Sequence, residues 1–459
     1  MRKVSAVIFE GGNPQTQIEK DMVILRKAMV LDNLAKFKMA EEIDKIIIAT
    51  NYPKFRDELL NDKDIIVDFD QGEFNLGKRL SEIIDKYNLE AVFYLGGAAG
   101  PLITVEEINQ FCIEVKNTPE IVMTNNVQSS DMIVFAPADA INRIHVFPVK
   151  DNPLGNLLRD AGLKKVLMPH STGIHFDIDT PTDMLVLSLN PSIGPNVKQA
   201  FKELNYNADH LIRAKHYLAL PYADVILSGR VGSPVITHVN TMVRCRLRVY
   251  SEERGMKYLK REENELVKSL IAKMIDIMGM NEFFNYMSKI AHVMFFDSRI
   301  VYAHNNLHLI ENDRFYADLL LPEKVKDPYA KKLTEEIMKA KIPVVPGGHS
   351  LVAGGMWSLI ETLQHEQELT YSDNKLYDMV VSEKYIYKDL SQLRKNLTSS
   401  ATIYGLTKVG EGVEPNFTYI NPSDDLIIKE GWKIHIAAPI AQIKDMEEKG
   451  FKIVKRGSK

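Results

Sequence analysis

VSAVIFEGGNPQTQ, residues 4–17, is the stretch on which the fold turns. A compact apolar run over residues 4–9 has the length of a buried strand, ends in Glu10-Gly11-Gly12, and is followed by a helical pattern over about residues 20–40. Working outward, the alternation repeats. KIIIAT (45–50) precedes a helical segment at 54–60, and DIIVDFD (64–70) precedes one at 76–87. AVFYLGG (91–97) precedes another at 105–116, before EIVMTNN (120–126) and DMIVFAP (131–137). Short apolar runs separated by helices of roughly 10–15 residues indicate βαβ units. The expected fold class is α/β, with a doubly wound, mostly parallel N-terminal sheet.

The cluster of Asn, Pro, Ser and Gly at 190–195 reads as a linker, which sets the first domain at residues 1–192. A second, smaller α/β domain is expected over 193–370. Its strand signals are ADVILSG from residue 223, RCRLRVYS from 244, HVMFFDS from 292 and IPVVPGG from 342, with a long helical block over 262–290 broken near Gly279. Residues 371–459 read as a small β-rich α+β module. It has strand-like runs at 377–382, 401–410, 425–432 and 433–439, and one helix at 390–397.

Composition narrows the function classes. Hydrophobic residues are 45% and charged residues 26% of 459, the balance of a chain that buries cores. A net charge of −4 gives no global basic field for nucleic acid or an anionic membrane, so neither is an expected partner. No apolar run approaches the 18 residues of a membrane span, and the opening apolar run is too short for a signal peptide. The expected location is the cytoplasm. Cys112 and Cys245 read as reduced core thiols.

Chemistry concentrates in the loops. A strand ending in glycines exposes backbone N–H groups that can cradle phosphate, which makes Gly11, Gly12 and Asn13 candidate nucleotide contacts, with Gly96 and Gly97 in YLGGAAGPLIT (94–104). FDIDTPTDM (176–184) supplies aspartates before a helix, and Asp131 follows TNNVQSS; Asp177, Asp179 and Asp131 are candidate ligands for a divalent metal. A structural reading competes, in which Asp179-Thr180-Pro181 caps the helix and Asp183 complements its dipole.

The order of these three stretches resembles the MobA-like nucleotidyltransferases of the glycosyltransferase-A-type fold, over about residues 1–190. The resemblance implies binding of a nucleotide or phosphorylated small molecule beside Mg²⁺, and an activity of the transferase class. Two positions depart from that pattern. No basic residue follows Gly12 in the expected frame, Lys20, Arg26 and Lys27 being the nearest, and Ala98 and Ala99 stand where the family carries a metal-binding acid.

In the second domain, loops after strands converge on one crevice of an open parallel sheet. Arg230, Arg254, Arg299 and the run Gly347-Gly348-His349-Ser350 are candidate anion-binding residues there. Residues 380–446 resemble the TrkA-C lobe of regulator-of-potassium-conductance domains, on Leu390-Ser391-Gln392-Leu393-Arg394, residues 403–407, Asn421-Pro422 with Asp425, and 428–431, with Trp432 in place of the family's usual aspartate. That likeness implies a homodimer or small-ligand sensing. Three functions stay open: a nucleotidyltransferase-like enzyme, a non-catalytic nucleotide sensor dimerising through its C-terminal lobe, and a central domain acting on a phosphorylated metabolite.

Overall fold

The structure is a computed structural model. It describes residues 2–455 apart from 71, 127–128, 149–151, 371–373, 381–385, 387, 398–401, 409–416, 421–424, 440–442, 444–445 and 449–450.

The first sheet contains β1 (Val4–Glu10), β2 (Ile43–Thr50), β3 (Ile65–Phe69), β4 (Ala91–Gly96), β5 (Ile121–Thr124), β6 (Met132–Ala136) and β7 (Lys164–Leu167), in the order β3-β2-β1-β4-β6-β5-β7. Every pairing is parallel except those of β6, which runs antiparallel to β4 and β5. β1 shows why an uninterrupted apolar run becomes a central strand. Val4, Ala6 and Ile8 enter one core and Val7 and Phe9 the other, so both faces are covered.

The second sheet contains β8 (Asp224–Gly229), β9 (Arg246–Ser251), β10 (Val293–Asp297) and β11 (Val344–Gly347), all parallel, in the order β11-β10-β8-β9. The strand order reverses between β8 and β10, the switch point at which open α/β sheets form a crevice. The third sheet is antiparallel, β14-β13-β15-β12-β16, from β12 (Asn374–Val380), β13 (Thr402–Lys408), β14 (Phe417–Ile420), β15 (Lys433–Pro439) and β16 (Lys452–Lys455). The fold is thus mixed α/β, with one large, mostly parallel sheet and two smaller ones.

The helix Gln17–Met39 joins the first two sheets. It opens with a capping box in which Thr16 and Glu19 exchange side-chain and backbone hydrogen bonds. Ile18, Met22, Leu25 and Met29 pack in the same core as Val225, Leu227 and Phe295, while Val30, Leu34 and Phe37 pack under the first sheet. Its apolar residues therefore surround the axis instead of forming one stripe. Asp32, buried on this helix, accepts hydrogen bonds from the backbones of Asn196 (3.1 Å) and Val197 (3.0 Å). It thereby caps the helix Pro195–Leu204, whose N-cap Gly194 has no side chain to do so.

Several expected elements shift. The block expected over 262–290 becomes helices Leu270–Met278 and Met280–Ile290, because the preceding turns are held by Glu252 and Glu253. Of the strand expected over 425–432, the described part makes one isolated bridge, Asp389 to Ile427. Asn421 and Pro422 lie outside the described residues. Both cysteines are free and buried, and burial pushes each thiol up to about 12. Among the described residues, no helix is long and apolar enough to cross a membrane.

Candidate functional site

Three chain segments meet at the carboxyl ends of β1 and β4. β1 ends in Glu10 and is followed by Gly11, and β4 ends in Gly96. Gly97 donates its amide to Phe9 O (2.8 Å), which folds the loop after β4 back onto β1. The acid stretch then lies across that loop: Ile178 donates its amide to Ala98 O (2.9 Å), and Ala99 bridges Asp177. These contacts border an open cavity of about 270 Å³ lined by Glu10, Gly11, Arg26, Gly96, Gly97, Ala98, Ala99, Asp131, Asp177 and Asp179, with Phe9 at its side.

Gly11, Gly96, Gly97, Asp131, Asp177 and Asp179 are therefore brought together. Gly12 and Asn13 stand outside the cavity lining. The expected role of the glycine amides needs correcting. The amide of Gly96 is donated to Asp131 O (2.9 Å), that of Gly97 to Phe9 O, and that of Gly12 to Asn51 Oδ1 (3.1 Å). At Gly97 the missing side chain is what counts. A Cβ at Gly97 would stand 1.9 Å from Glu10 Oε2, so only glycine lets that carboxylate and the β4 loop share the cavity wall.

The acid stretch divides its work. Thr180, not Asp179, is the N-cap of the helix Pro181–Leu189, and Asp183 completes a capping box with it. Capping thus engages Thr180 and Asp183 and leaves Asp177 and Asp179 facing the cavity. Asp177 Oδ1 is buried with no hydrogen-bond partner. Burial, then repulsion from Asp131, Asp179 and Asp183, raises the Asp177 carboxyl well above the carboxylate range. Burial and Asp179 push Asp131 up to about 7. Asp179 is raised by its depth in the protein mass, opposed by Lys257, Arg230, Arg26 and Arg299. Its side chain is nevertheless exposed to the cavity's solvent, so repulsion there weighs less than at Asp177.

One acid of the cavity wall, Glu10, went unread in the sequence as a site residue. Glu10 is buried, its carboxyl raised by burial and pulled back by Arg26, whose Nε lies 3.2 Å from Glu10 Oε1. An acid closing a wholly buried strand was the available signal. Of the other nearby bases, Lys27 lies over the Tyr52 ring (4.0 Å) and Lys20 is exposed.

The second sheet reaches the same place. Ser350 Oγ donates to the backbone oxygen of Asp177 (2.8 Å), and Thr182 Oγ1 donates to Pro346 O (2.7 Å). The expected anion cradle of Gly347-Gly348-His349-Ser350 is occupied by these contacts. A Cβ at Gly348 would stand 2.9 Å from Thr180 Cγ2, and one at Gly347 3.3 Å from Thr182 Cβ. His349 is pushed down to about 4 by burial and then by Arg230, and stays neutral. Arg230 holds Asp297 through Nε (2.7 Å) and Nη2 (3.0 Å), and Arg299 holds Asp318 likewise (Nη1, 2.8 Å). Burial would raise Asp297, but Arg230 keeps it below the usual range. Both arginines thus neutralise buried partners. Arg254 alone of the expected set is exposed with no hydrogen-bond or ion-pair partner among the described residues.

Among the described residues, no three carboxylate, imidazole or thiol groups are placed to hold a metal ion between them. The donor set is still of the hard-oxygen kind that Mg²⁺ takes, one or two carboxylates with phosphate oxygens completing the shell. The unpartnered Asp177 Oδ1 and the mutual repulsion of three acids fit a cation.

No protein-family model matches the chain, and no curated protein matches it. Among solved structures it is similar to a cytidylyltransferase from Leptospira borgpetersenii serovar Hardjo-bovis, with 15% identity, TM-score 0.34, and coverage of 45% of this chain and 96% of that one. It is also similar to a 4-diphosphocytidyl-2C-methyl-D-erythritol synthase from Anaerococcus prevotii DSM 20548, with 15% identity, TM-score 0.31, and coverage of 44% and 99%. Likenesses this faint leave substrate and activity to the residues of the cavity.

Proposed function

We propose that the cavity at the ends of β1 and β4 binds a phosphorylated ligand of the nucleotide class together with a divalent cation, and that the chain works as a nucleotidyltransferase-like protein. One observation carries this reading: Asp131, Asp177 and Asp179 line one cavity beside Glu10, and Asp177 has a buried oxygen without a partner. Uncompensated buried acid is costly, and such arrangements are kept where function needs them. Asp177 with Asp131 or Asp179 would hold Mg²⁺, which when bound neutralises charge on phosphate oxygens. Gly11, Gly96 and Gly97 leave room for the ligand, and Arg26 adds a cation beside Glu10.

A second reading has its own support. Ala98 and Ala99 line the cavity where a further acid would serve catalysis, and Glu10 places a carboxylate close to where phosphates would come. Both favour a sensor that binds without turnover, with the C-terminal sheet as a dimerising, TrkA-C-like lobe. A thermal-shift screen of ATP, GTP, CTP and UTP, each with and without Mg²⁺, separates the readings. Mg²⁺-dependent stabilisation followed by pyrophosphate release supports the transferase. Stabilisation without release supports the sensor. No shift with any nucleotide refutes both.

A further inference from the structure

The turn after β9, Glu252 to Lys257, carries two acids and two bases, and the structure engages only the acids. Glu252 accepts from Leu270 N (2.9 Å) and Ser269 Oγ; Glu253 pairs with Arg261 Nε (2.7 Å) and accepts from Lys268 N (3.0 Å). The side chains of Arg254 and Lys257 have no hydrogen-bond or ion-pair partner among the described residues, and both are exposed. The turn is nonetheless firmly placed. Glu252 N donates to Gly229 O (3.0 Å), Ser251 Oγ donates to Val231 O (2.7 Å), and Met256 is buried against Val267, Ile300 and Ala303. Gly255, at φ +79°, makes the reversal between the two bases.

Its position is next to the acid stretch. Arg254 lies on Gly232, whose Cβ would stand 3.6 Å from its Nη2. Arg230, two residues earlier, touches His349, and Ser350 is bonded to Asp177. Lys257 is the foremost of the cations acting on Asp179, ahead of Arg230, Arg26 and Arg299. Arg230 and Arg299 are already neutralised by Asp297 and Asp318, so the unpaired positive charge near the cavity that comes from the second sheet resides on this turn.

We propose that this turn is the phosphate clamp of the cavity, with Lys257 and Arg254 taking the anionic end of a phosphorylated ligand whose other end rests against Gly11, Gly96 and Gly97. The clamp rests on the reading of the cavity given above. It supplies from the second sheet the cationic charge that the loop after β1 lacks, and it makes the site a joint product of two sheets. Charge-assisted contacts of this kind change affinity by roughly tenfold each.

Calorimetric titration of the full chain with inorganic triphosphate and with each of the four nucleoside triphosphates, all with Mg²⁺, tests it. Lys257→Met and Arg254→Met are each expected to weaken triphosphate binding about tenfold, and Lys257→Arg to stay within about threefold of wild type. Unchanged melting temperatures establish that the exposed variants fold. Wild-type affinity in both methionine variants, with loss in Asp177→Asn, would overturn the clamp and leave the cavity reading intact. Loss in the methionine variants with Asp177→Asn unaffected would support the clamp and remove the cation from the acid stretch. No binding of any of these anions by the wild-type chain overturns both.

Discussion

Asp131→Asn is expected to make the ligand-free chain more stable at pH 8 while weakening its response to Mg²⁺ and nucleoside triphosphate. Burial, then the Asp179 carboxylate, pushes Asp131 up to about 7 in the folded chain, against 3.8 for a free aspartate. Below pH 3.8 it is protonated in folded and unfolded chains alike and costs nothing. As pH rises from there, the unfolded chain ionises first, and the folded state loses relative stability until about pH 7, where the cost is complete. A shift of that size corresponds to about 4 kcal/mol, which water in the cavity reduces to about 2 kcal/mol for this part-buried side chain. Melting curves at pH 5 and pH 8 should therefore show wild type and variant drawing apart with pH, the variant melting about 2–4 °C higher at pH 8. Equal melting at both pH values would show that Asp131 is not held above the usual carboxylate range in the folded chain. A residue that destabilises its own fold while serving a ligand is the usual trade at functional sites.

Gly354→Ala is expected to destabilise the chain by about 3 kcal/mol or more and to weaken triphosphate binding with it. A Cβ at this position would stand 2.0 Å from His175 O and 2.5 Å from Phe176 Cα. Both are backbone atoms immediately before Asp177, with Phe176 fully buried, so the acid stretch must move or the helix Gly354–Thr370 must back away. Urea unfolding measures the first effect and triphosphate titration the second. Full stability with normal binding would mean that the second sheet does not set the position of the acids.

The strands were legible where burial is symmetrical. β1, β4, β6 and the second half of β2 are nearly continuous apolar runs, and period and length sufficed. β7, Lys164–Leu167, was not, because an edge strand of four residues with two exposed lacks the pattern. The helix Glu311–Asp318 was missed because five of its eight residues, ENDRFYAD, are polar and it packs through few apolar ones. Nor does strand order follow from local pattern, which is why the antiparallel β6 appears only in the structure.

The site was legible in its acids and not in its charge balance. Asp131, Asp177 and Asp179 stand out as carboxylates before or after strands. Their partners come from distant positions, Arg26 from the long first helix and Lys257 from a turn of another sheet. The glycines were recognised as important for a different reason than the one that holds, since Gly96 and Gly97 already donate their amides within the protein. Arg230 and Arg299 looked like anion ligands because their buried partners, Asp297 and Asp318, are 67 and 19 residues away.

The most direct trial is electron paramagnetic resonance of Mn²⁺ mixed with the full chain at pH 8, with and without a nucleoside triphosphate in slight excess. The acids of the cavity should remove about one Mn²⁺ per chain from the free signal only when the nucleotide is present, beyond what nucleotide alone removes, and Asp177→Asn should abolish that excess. A free Mn²⁺ signal that the protein never changes, at any nucleotide, would contradict it.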